Sequence, residues 1–259
     1  MDLKFIRFEL RDRLAWIIFD RPEKLNALNP LVLSDLEGVL TECEKNSSIR
    51  VVLLRGNEKA FIAGADIENM AKADIHLAYE LTDQTLRVQE RLADLPKPTI
   101  AAISGYALGG GCEMALCCDF RIASENALFG FPEIKLGIIP GGGGSQRLPR
   151  LIGIATATQL IYLGEMVKAD EAKKIGLVNK VVPLEQLEME AEKLASQLLE
   201  RPAFALRAAK IAIRKGFNVG LKEGLQIEQD AFCMLFGTQD QKEGMSAFLE
   251  KRKPIFKGK

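Results

Sequence analysis

Apolar and polar positions follow one pattern in the first two-thirds of the chain and another in the last third. In the first part, short apolar runs bounded by Gly, Pro or charged residues alternate with stretches of helical period. Such runs predict buried strands. The predicted strands are residues 5–10, 14–19, 51–55 and 99–104. Helices are predicted from Asn29 to about Cys43 and over 75–95. The alternation of strands and helices indicates an α/β fold.

After about Pro183 the strand pattern gives way to helices alone. The predicted helices are residues 184–199, 204–214, 221–236 and 239–252. The last of them begins at a Thr238-x-x-Gln241 capping box. We therefore expect a core domain over 1–195 that carries the active site, followed by a helical region over 196–259.

The overall composition limits the possible functions. The 259 residues are 47% hydrophobic, which is enough for a large buried core. Lys+Arg and Asp+Glu both number 35, so no basic field attracts nucleic acid. Five cysteines without a CxxC pair and a single histidine, His76, do not form a zinc motif. We expect a reducing, cytoplasmic setting, no metal, and no membrane span, because no apolar run approaches about 18 residues.

A glycine-rich segment over 105–113 carries the strongest chemical pattern. Three glycines, 109–111, stand directly before the helix-forming residues 112–116, and a second acid, Glu133, follows in Phe-Pro-Glu at 131–133. A bare backbone turn that enters a helix leaves N–H groups pointing outward. Such groups can stabilise negative charge that develops on a carbonyl oxygen, and one donor contributes about 3 kcal/mol. The carbonyl of a thioester would suit this site.

Three segments together resemble the crotonase superfamily, and specifically the enoyl-CoA hydratases. They are residues 61–67 (FIAGADI), 105–113 (GYALGGGCE) and 129–148, which run from FGFPE to GGGGSQRL. The resemblance extends over nearly the whole chain. It implies a crotonase-type spiral of repeated ββα units, a C-terminal α-helical trimerisation region, and a homohexamer built as a dimer of trimers.

The resemblance also implies a site and a reaction. Glu113 and Glu133 match the two catalytic glutamates, and the N–H groups of Ala63 and Gly110 match the oxyanion hole. Water would add across the C2=C3 bond of a 2-enoyl-CoA to give a 3-hydroxyacyl-CoA, in fatty-acid or related metabolism. Glu113 would deprotonate the water while Glu133 delivers a proton to C2. The positions that resemblance places at the acyl-CoA are Lys24, Ala27, Ala63, Gly64, Ala65, Asp66, Ile67, Gly110, Phe232 and Lys251.

Phe232 and Lys251 match positions that reach the site of a neighbouring subunit in this family. Coenzyme A is part of the substrate, and we expect no separate cofactor. We also expect neither a nucleic-acid partner nor a membrane partner. One departure stands beside the second acid, where many of these hydratases have glutamine: here the residue is Phe131. It could make the site drier or fit an unusual acyl chain.

Alternative interpretations remain open at this point. An enoyl-CoA isomerase needs one carboxylate, so the pair of glutamates favours hydration. A branched, cyclic or dienoyl substrate is also compatible with the sequence. An RNA-binding or scaffold member of the fold would need an exposed basic helix, whereas the first helix is rich in acids.

Individual residues also have structural interpretations. Without the other segments of the pattern, Glu113 would be interpreted as a charge that complements a helix dipole. Glu133 would be interpreted as a solvated acid in a turn. Residues 141–144 predict a turn before a helix. The basic residues Arg207, Lys210, Arg214 and Lys215 favour a solvated helix face.

Overall fold

Two sheets organise the computed structural model, which describes residues 3–259 apart from the side chain of Asn69. The strands are β1 Ile6–Arg11, β2 Leu14–Phe19, β3 Val51–Arg55, β4 Ala60–Ala63, β5 Thr99–Ile103, β6 Tyr106–Leu108, β7 Phe120–Ser124, β8 Leu128–Gly130, β9 Met166–Lys168 and β10 Lys180–Val182. One sheet has the order β1-β2-β3-β5-β7-β10 and the other β4-β6-β8-β9. All pairs are parallel except β1 with β2 and β8 with β9.

Helices connect and cover the sheets. They are α1 Pro30–Lys45, α2 Ile67–Met70, α3 Ile75–Asp94, α4 Gly110–Cys117, α5 Gly144–Ile152, α6 Ile154–Leu163, α7 Ala169–Lys174, α8 Leu187–Leu199, α9 Ala203–Gly216, α10 Leu221–Leu235 and α11 Gln239–Leu249. Short 3-10 helices occupy Pro22–Lys24, Pro132–Leu136 and Leu184–Gln186. No helix among the described residues has both the length and the apolar character needed to cross a membrane.

Three consecutive pairs of strands, from β3 to β8, are each divided between the two sheets. β3, β5 and β7 lie side by side in the first sheet, and β4, β6 and β8, which follow them in the chain, lie side by side in the second. Helices or a 3-10 turn complete each repeat before the chain returns to the first sheet. The expected spiral of ββα units is confirmed.

The central strands β2, β3 and β5 of the first sheet are buried on both faces, which explains why they are nearly continuous apolar runs. All six residues of β2 are buried. Ala15, Ile17 and Phe19 pack in the core between the sheets, while Trp16 and its neighbours face α8 on the other side.

The predicted boundary at residue 195 falls inside α8. Ala191, Ala195 and Leu198 of this helix are buried against the first sheet. α8 therefore covers the first sheet. The helices beyond it begin with α9, which forms a hairpin with α10.

Candidate active site

Three loops meet at one edge of the second sheet. β4, β6 and β8 are neighbouring parallel strands, with Ala63 opposite Leu108 and Leu108 opposite Gly130. Because the carboxyl ends of parallel strands lie at the same edge, the segments that follow them come together there. These segments carry Ala65, Gly110 and Glu133.

Gly109 allows the closest approach at this edge. It has φ +47° and donates its N–H to the Gly130 carbonyl at 2.8 Å. A Cβ at this position would lie 2.6 Å from Glu133 Oε1. The turn into α4 therefore requires a residue without a side chain, both for its dihedral angle and for the acid that packs against it.

Glu113 lies in the first turn of α4, but its carboxylate does not cap the helix. Its side chain is 2% exposed, and Oε1 accepts hydrogen bonds from Gly142 N–H at 2.9 Å and Gly144 N–H at 2.7 Å. Burial raises the pKa of Glu113, while the two N–H groups and the charge of Arg147 oppose that rise. The helix-dipole interpretation is therefore insufficient for this residue.

Glu133 lies in the 3-10 turn after β8, and its carboxylate accepts fewer hydrogen bonds than that of Glu113. Its Oε2 is buried and meets no partner among the described residues. Burial, with a smaller contribution from the nearby Glu113, raises the pKa of Glu133 to about 7. Backbone donors thus stabilise the charged form of Glu113, whereas Glu133 Oε2 has no such partner among the described residues.

The Ala63 prediction does not fit the structure. The Ala63 N–H donates to the Leu25 carbonyl at 3.0 Å, so it faces away from the site. Two residues on, Ala65 forms a parallel bridge with Leu28, in which Leu28 N–H bonds Gly64 O and Asp66 N–H bonds Leu28 O. In this pattern the N–H of Ala65 itself points to the opposite side.

Ala65 and Gly110 supply the unused donors. The two residues adjoin, because a Cβ on Gly110 would lie 3.9 Å from Gly64 C, the atom bonded to Ala65 N. Neither N–H meets an acceptor among the atoms that the structure describes, and the Gly110 N–H, at the first position of α4, has no acceptor inside its helix. Sequence alone could not separate Ala63 from Ala65, because the direction of each N–H depends on a distant segment.

Apolar side chains surround the acids. Phe131 is 1% exposed, and its Cε1 lies 2.7 Å from the place that a Cβ on Gly144 would occupy. The same place lies 2.9 Å from Glu113 Oε1. Leu28 contacts the bare face of Gly110. The phenylalanine therefore packs against the loop that holds Glu113, which limits the polar groups around it.

The early residues predicted to bind coenzyme A lie together beside the Leu28–Ala65 bridge. Lys24 bonds Glu68 at 2.8 Å, and Ala27 is buried next to it. Asp66 is 7% exposed and forms an ion pair with Arg21 at 2.8 Å, which lowers its pKa. Its carboxylate therefore fixes the loop. Gly64 and the exposed Ile67 complete the set.

The two late residues are not brought to this edge by the observed contacts. Phe232 lies on α10, is 59% exposed, and packs edge-to-face on Phe236 at 5.1 Å between ring centroids. Lys251 follows α11 with φ +57° and an exposed side chain. Their predicted contact with a neighbouring subunit remains a prediction.

Sequence reasoning missed the groups that hold Glu113. The predicted turn before a helix is confirmed at Gly142, while Gly144 is already the first residue of α5, and the N–H donors of both were not assigned to an acid. Arg147, which donates to Gly142 O at 2.8 Å, was also missed. A run of four glycines near a buried acid was the available indication.

Comparisons with known proteins show the family of this chain. The family described as enoyl-CoA hydratase/isomerase matches residues 9–259. The chain is 45% identical to the crotonyl-CoA hydratase of Syntrophomonas wolfei, covering 97% of both chains. It is 44% identical to the 2,3-dehydroadipyl-CoA hydratase of Escherichia coli, covering 96% of this chain and 97% of that one.

One solved structure is also similar to this chain over nearly its whole length. The crystal structure of an enoyl-CoA hydratase from Bacillus anthracis superposes with a TM-score of 0.95 at 42% identity, covering 99% of this chain and all of that one. The family match covers nearly the whole sequence. The chain therefore belongs to the enoyl-CoA hydratase/isomerase family.

Proposed function

We propose that the protein catalyses the reversible addition of water across the C2=C3 bond of a 2-enoyl-CoA, giving a 3-hydroxyacyl-CoA. The observation that carries this proposal is the pairing of the buried Glu113 with the half-buried Glu133 at one sheet edge, beside two backbone N–H groups without an acceptor among the described residues. Hydration needs both a base for the water and an acid for C2.

The thioester oxygen binds to the N–H groups of Ala65 and Gly110 in this proposal. As water attacks C3, negative charge moves to that oxygen and an enolate forms, so two preorganised donors stabilise the transition state more than the substrate. We propose Ala65 in place of Ala63 because the Ala63 N–H is already bonded to Leu25 O.

The two acids divide the proton transfers. Glu113, whose charged form accepts two backbone hydrogen bonds, takes a proton from the water. Glu133, whose pKa is raised to about 7, delivers a proton to C2. The reverse reaction uses the same groups in exchanged roles. Neither a metal nor a redox cofactor is required, because charge stabilisation and proton transfer complete the reaction.

Short 2-enoyl-CoA thioesters are the proposed substrates, with crotonyl-CoA the first to test. The two relatives named for crotonyl-CoA and 2,3-dehydroadipyl-CoA are 45% and 44% identical to this chain. Overall identity therefore does not decide the acyl group. Lys24, Ala27, Gly64, Asp66 and Ile67 are proposed to contact coenzyme A, largely through the backbone.

A homohexamer, as a dimer of trimers, is part of the proposal. The α9–α10 hairpin exposes large apolar side chains, which support burial against other copies. They include Ile211, Ile213, Phe217, Leu221, Leu225, Phe232, Met234 and Phe236. Light scattering on the purified protein should give the mass of six chains, and a monomer would contradict the assembly. A reducing, cytoplasmic location is proposed on the cysteine pattern.

The activity is tested by following the loss of the conjugated thioester absorbance of crotonyl-CoA. Hexenoyl-CoA and decenoyl-CoA rank the acyl lengths, and Glu113→Gln serves as the matched control. Rapid hydration that is abolished in the variant supports the proposal. Migration of a double bond without water uptake, or no turnover of any of the three, would contradict it.

A further inference from the structure

Gln89 is an unusual residue on α3 because it is polar, completely buried and incompletely paired. Its side chain is 0% exposed, in the buried stripe of α3 that also contains Val88 and Leu92. Its Nε2 meets no acceptor among the described residues. Buried amide groups are nearly always hydrogen-bonded, so this donor needs a partner that a functional state supplies.

The orientation of the carboxamide follows from the donors on its other side. Gln89 Oε1 faces Arg147 Nη1 at 3.5 Å and the Cys117 thiol at 4.0 Å. The guanidinium contact requires an acceptor at that position, because the reversed amide would place an N–H against Arg147. The thiol does not decide the orientation, since it also donates to Glu113 O at 3.2 Å. The unpaired Nε2 therefore points away from Arg147.

Gln89 Nε2 and Glu113 Oε2 approach the same small region, the bare face of Gly142. A Cβ on Gly142 would lie 2.6 Å from Glu113 Oε2, 2.8 Å from Gln89 Nε2 and 3.0 Å from Gln89 Oε1, so the edge of the amide faces this place with Nε2 nearer than Oε1. Glu113 Oε1 already accepts two backbone hydrogen bonds, from Gly142 and Gly144. Glu113 Oε2 and Gln89 Nε2, which have no partner in these contacts, are thus both directed at the bare face of Gly142.

We infer that Gln89 is a positioning residue for the reaction: its Nε2 donates a hydrogen bond to Glu113 Oε2, directly or through one bridging water, and fixes the carboxylate that activates the attacking water. This inference rests on the proposed function. Gln89 does not touch the substrate. It acts by holding the plane of the Glu113 carboxylate and by favouring the charged form.

The charges around Glu113 determine what loss of this donor would do. Arg147 approaches from α5, Glu133 from its 3-10 turn, and the thiols of Cys112 and Cys117 from α4 itself. Burial raises the pKa of both thiols above the physiological range, so they remain neutral. Removing the amide donor therefore raises the pKa of Glu113, since less of the cost of burying its charge is offset.

The test replaces Gln89 with Met, which keeps the length and removes the donor. We expect kcat for crotonyl-CoA hydration to fall about tenfold with KM unchanged within twofold. The acidic limb of the pH profile should move up by about one unit. Val88→Ala is the matched control, because it truncates a buried side chain of the same helix, and it should lower Tm without moving the limb.

A direct titration of the carboxyl group separates this inference from the proposed function. The infrared band of Glu113 is assigned by difference against Glu113→Gln and followed with pH in the wild type and in Gln89→Met. An upward shift of its midpoint supports the inference even if the wild type hydrates no enoyl-CoA, a result that would overturn the function alone. An unchanged midpoint, with Tm lowered as in Val88→Ala, would show a merely structural role. If Gln89→Met does not fold, Gln89→Leu takes its place.

Discussion

Both ends of α4 lie beside acidic side chains that are buried or partly buried, but the two ends surround them differently. At the amino end, Glu113 accepts hydrogen bonds from backbone N–H groups, and Glu133 keeps one oxygen unpaired. At the carboxyl end, Asp119 accepts hydrogen bonds from Lys210 at 2.9 Å and Arg214 at 3.1 Å. Cations at this end also satisfy the last carbonyls of the helix, since Arg214 donates to Cys117 O at 2.8 Å.

The difference separates an acid that can react from one that joins two elements. Glu133 forms no ion pair with the residues that the structure describes, and burial raises its pKa to about 7, which suits proton transfer near neutral pH. With two cations from α9, Asp119 instead docks the C-terminal helices onto the end of the active-site helix. These contacts correct our expectation of a solvated basic face for two of its four residues, because the side chains of Lys210 and Arg214 are 10% and 28% exposed. Arg207 and Lys215 are exposed, as expected.

The largest expected effect follows from removing the reactive acid. Glu133→Gln keeps the shape of the side chain but cannot exchange a proton, so kcat for crotonyl-CoA hydration should fall by about 10²–10⁴-fold. The KM should change little, because the backbone contacts to coenzyme A remain. Retained activity in a correctly folded variant would show that Glu133 does not transfer the proton.

Removing the docking acid should affect stability instead. Asp119→Asn leaves Lys210 and Arg214 without their carboxylate in a partly buried place, which should lower the free energy of unfolding by about 2 kcal/mol. Urea unfolding measures this change. Glu171→Gln is the matched control, since its pair with Lys174 is exposed and should contribute less than about 0.5 kcal/mol.

Activity per folded molecule should be almost unchanged in Asp119→Asn. A loss of kcat as large as that of Glu133→Gln, with normal stability, would contradict the division between the two ends of α4.

A smaller effect should appear in the pH dependence of stability. The pKa of Glu133 is raised from 4.5 to about 7 on folding, so the folded state binds the proton more tightly. This contribution is complete below about pH 4.5 and is lost as pH rises through about 7. Between pH 5 and 8 the Tm of the wild type should therefore fall by about 2–4 °C relative to Glu133→Gln. Parallel Tm curves for the two proteins would rule out this titration.

Local sequence information accounts for the elements that were predicted well. Asn29 accepts a hydrogen bond from Val32 N–H and Pro30 opens α1, so the start of this helix is encoded within four residues. The capping box is confirmed only in part, because Thr238 accepts from Gln241 N–H while the Gln241 side chain bonds Met245. The spiral of ββα units was predicted from the resemblance to the crotonase superfamily, because periodicity indicated only an α/β fold followed by helices.

The errors concern groups whose role depends on distant segments. Ala63 and Ala65 differ in the direction of their N–H groups, and Leu25 and Leu28 decide that direction. Lys210 becomes buried because Asp119 lies against it in space, 91 residues away along the chain. Neither relation is visible in the local pattern of the sequence, which has no information on which segments pair.

The smallest predicted effect concerns Phe131, which packs beside Glu113 at the amino end of α4, and its influence on the protonation of Glu113 and Glu133. Phe131→Gln places a carboxamide beside Gly144 and Glu113, where it can donate to a carboxylate and so favour the charged form. The acidic limb of the hydration profile should move down by less than one pH unit, opposite to the shift expected for Gln89→Met. Phe131→Leu, which adds no donor, should leave the limb in place. An equal shift in both variants would mean that packing at this position, and not the missing donor, controls the protonation of the pair.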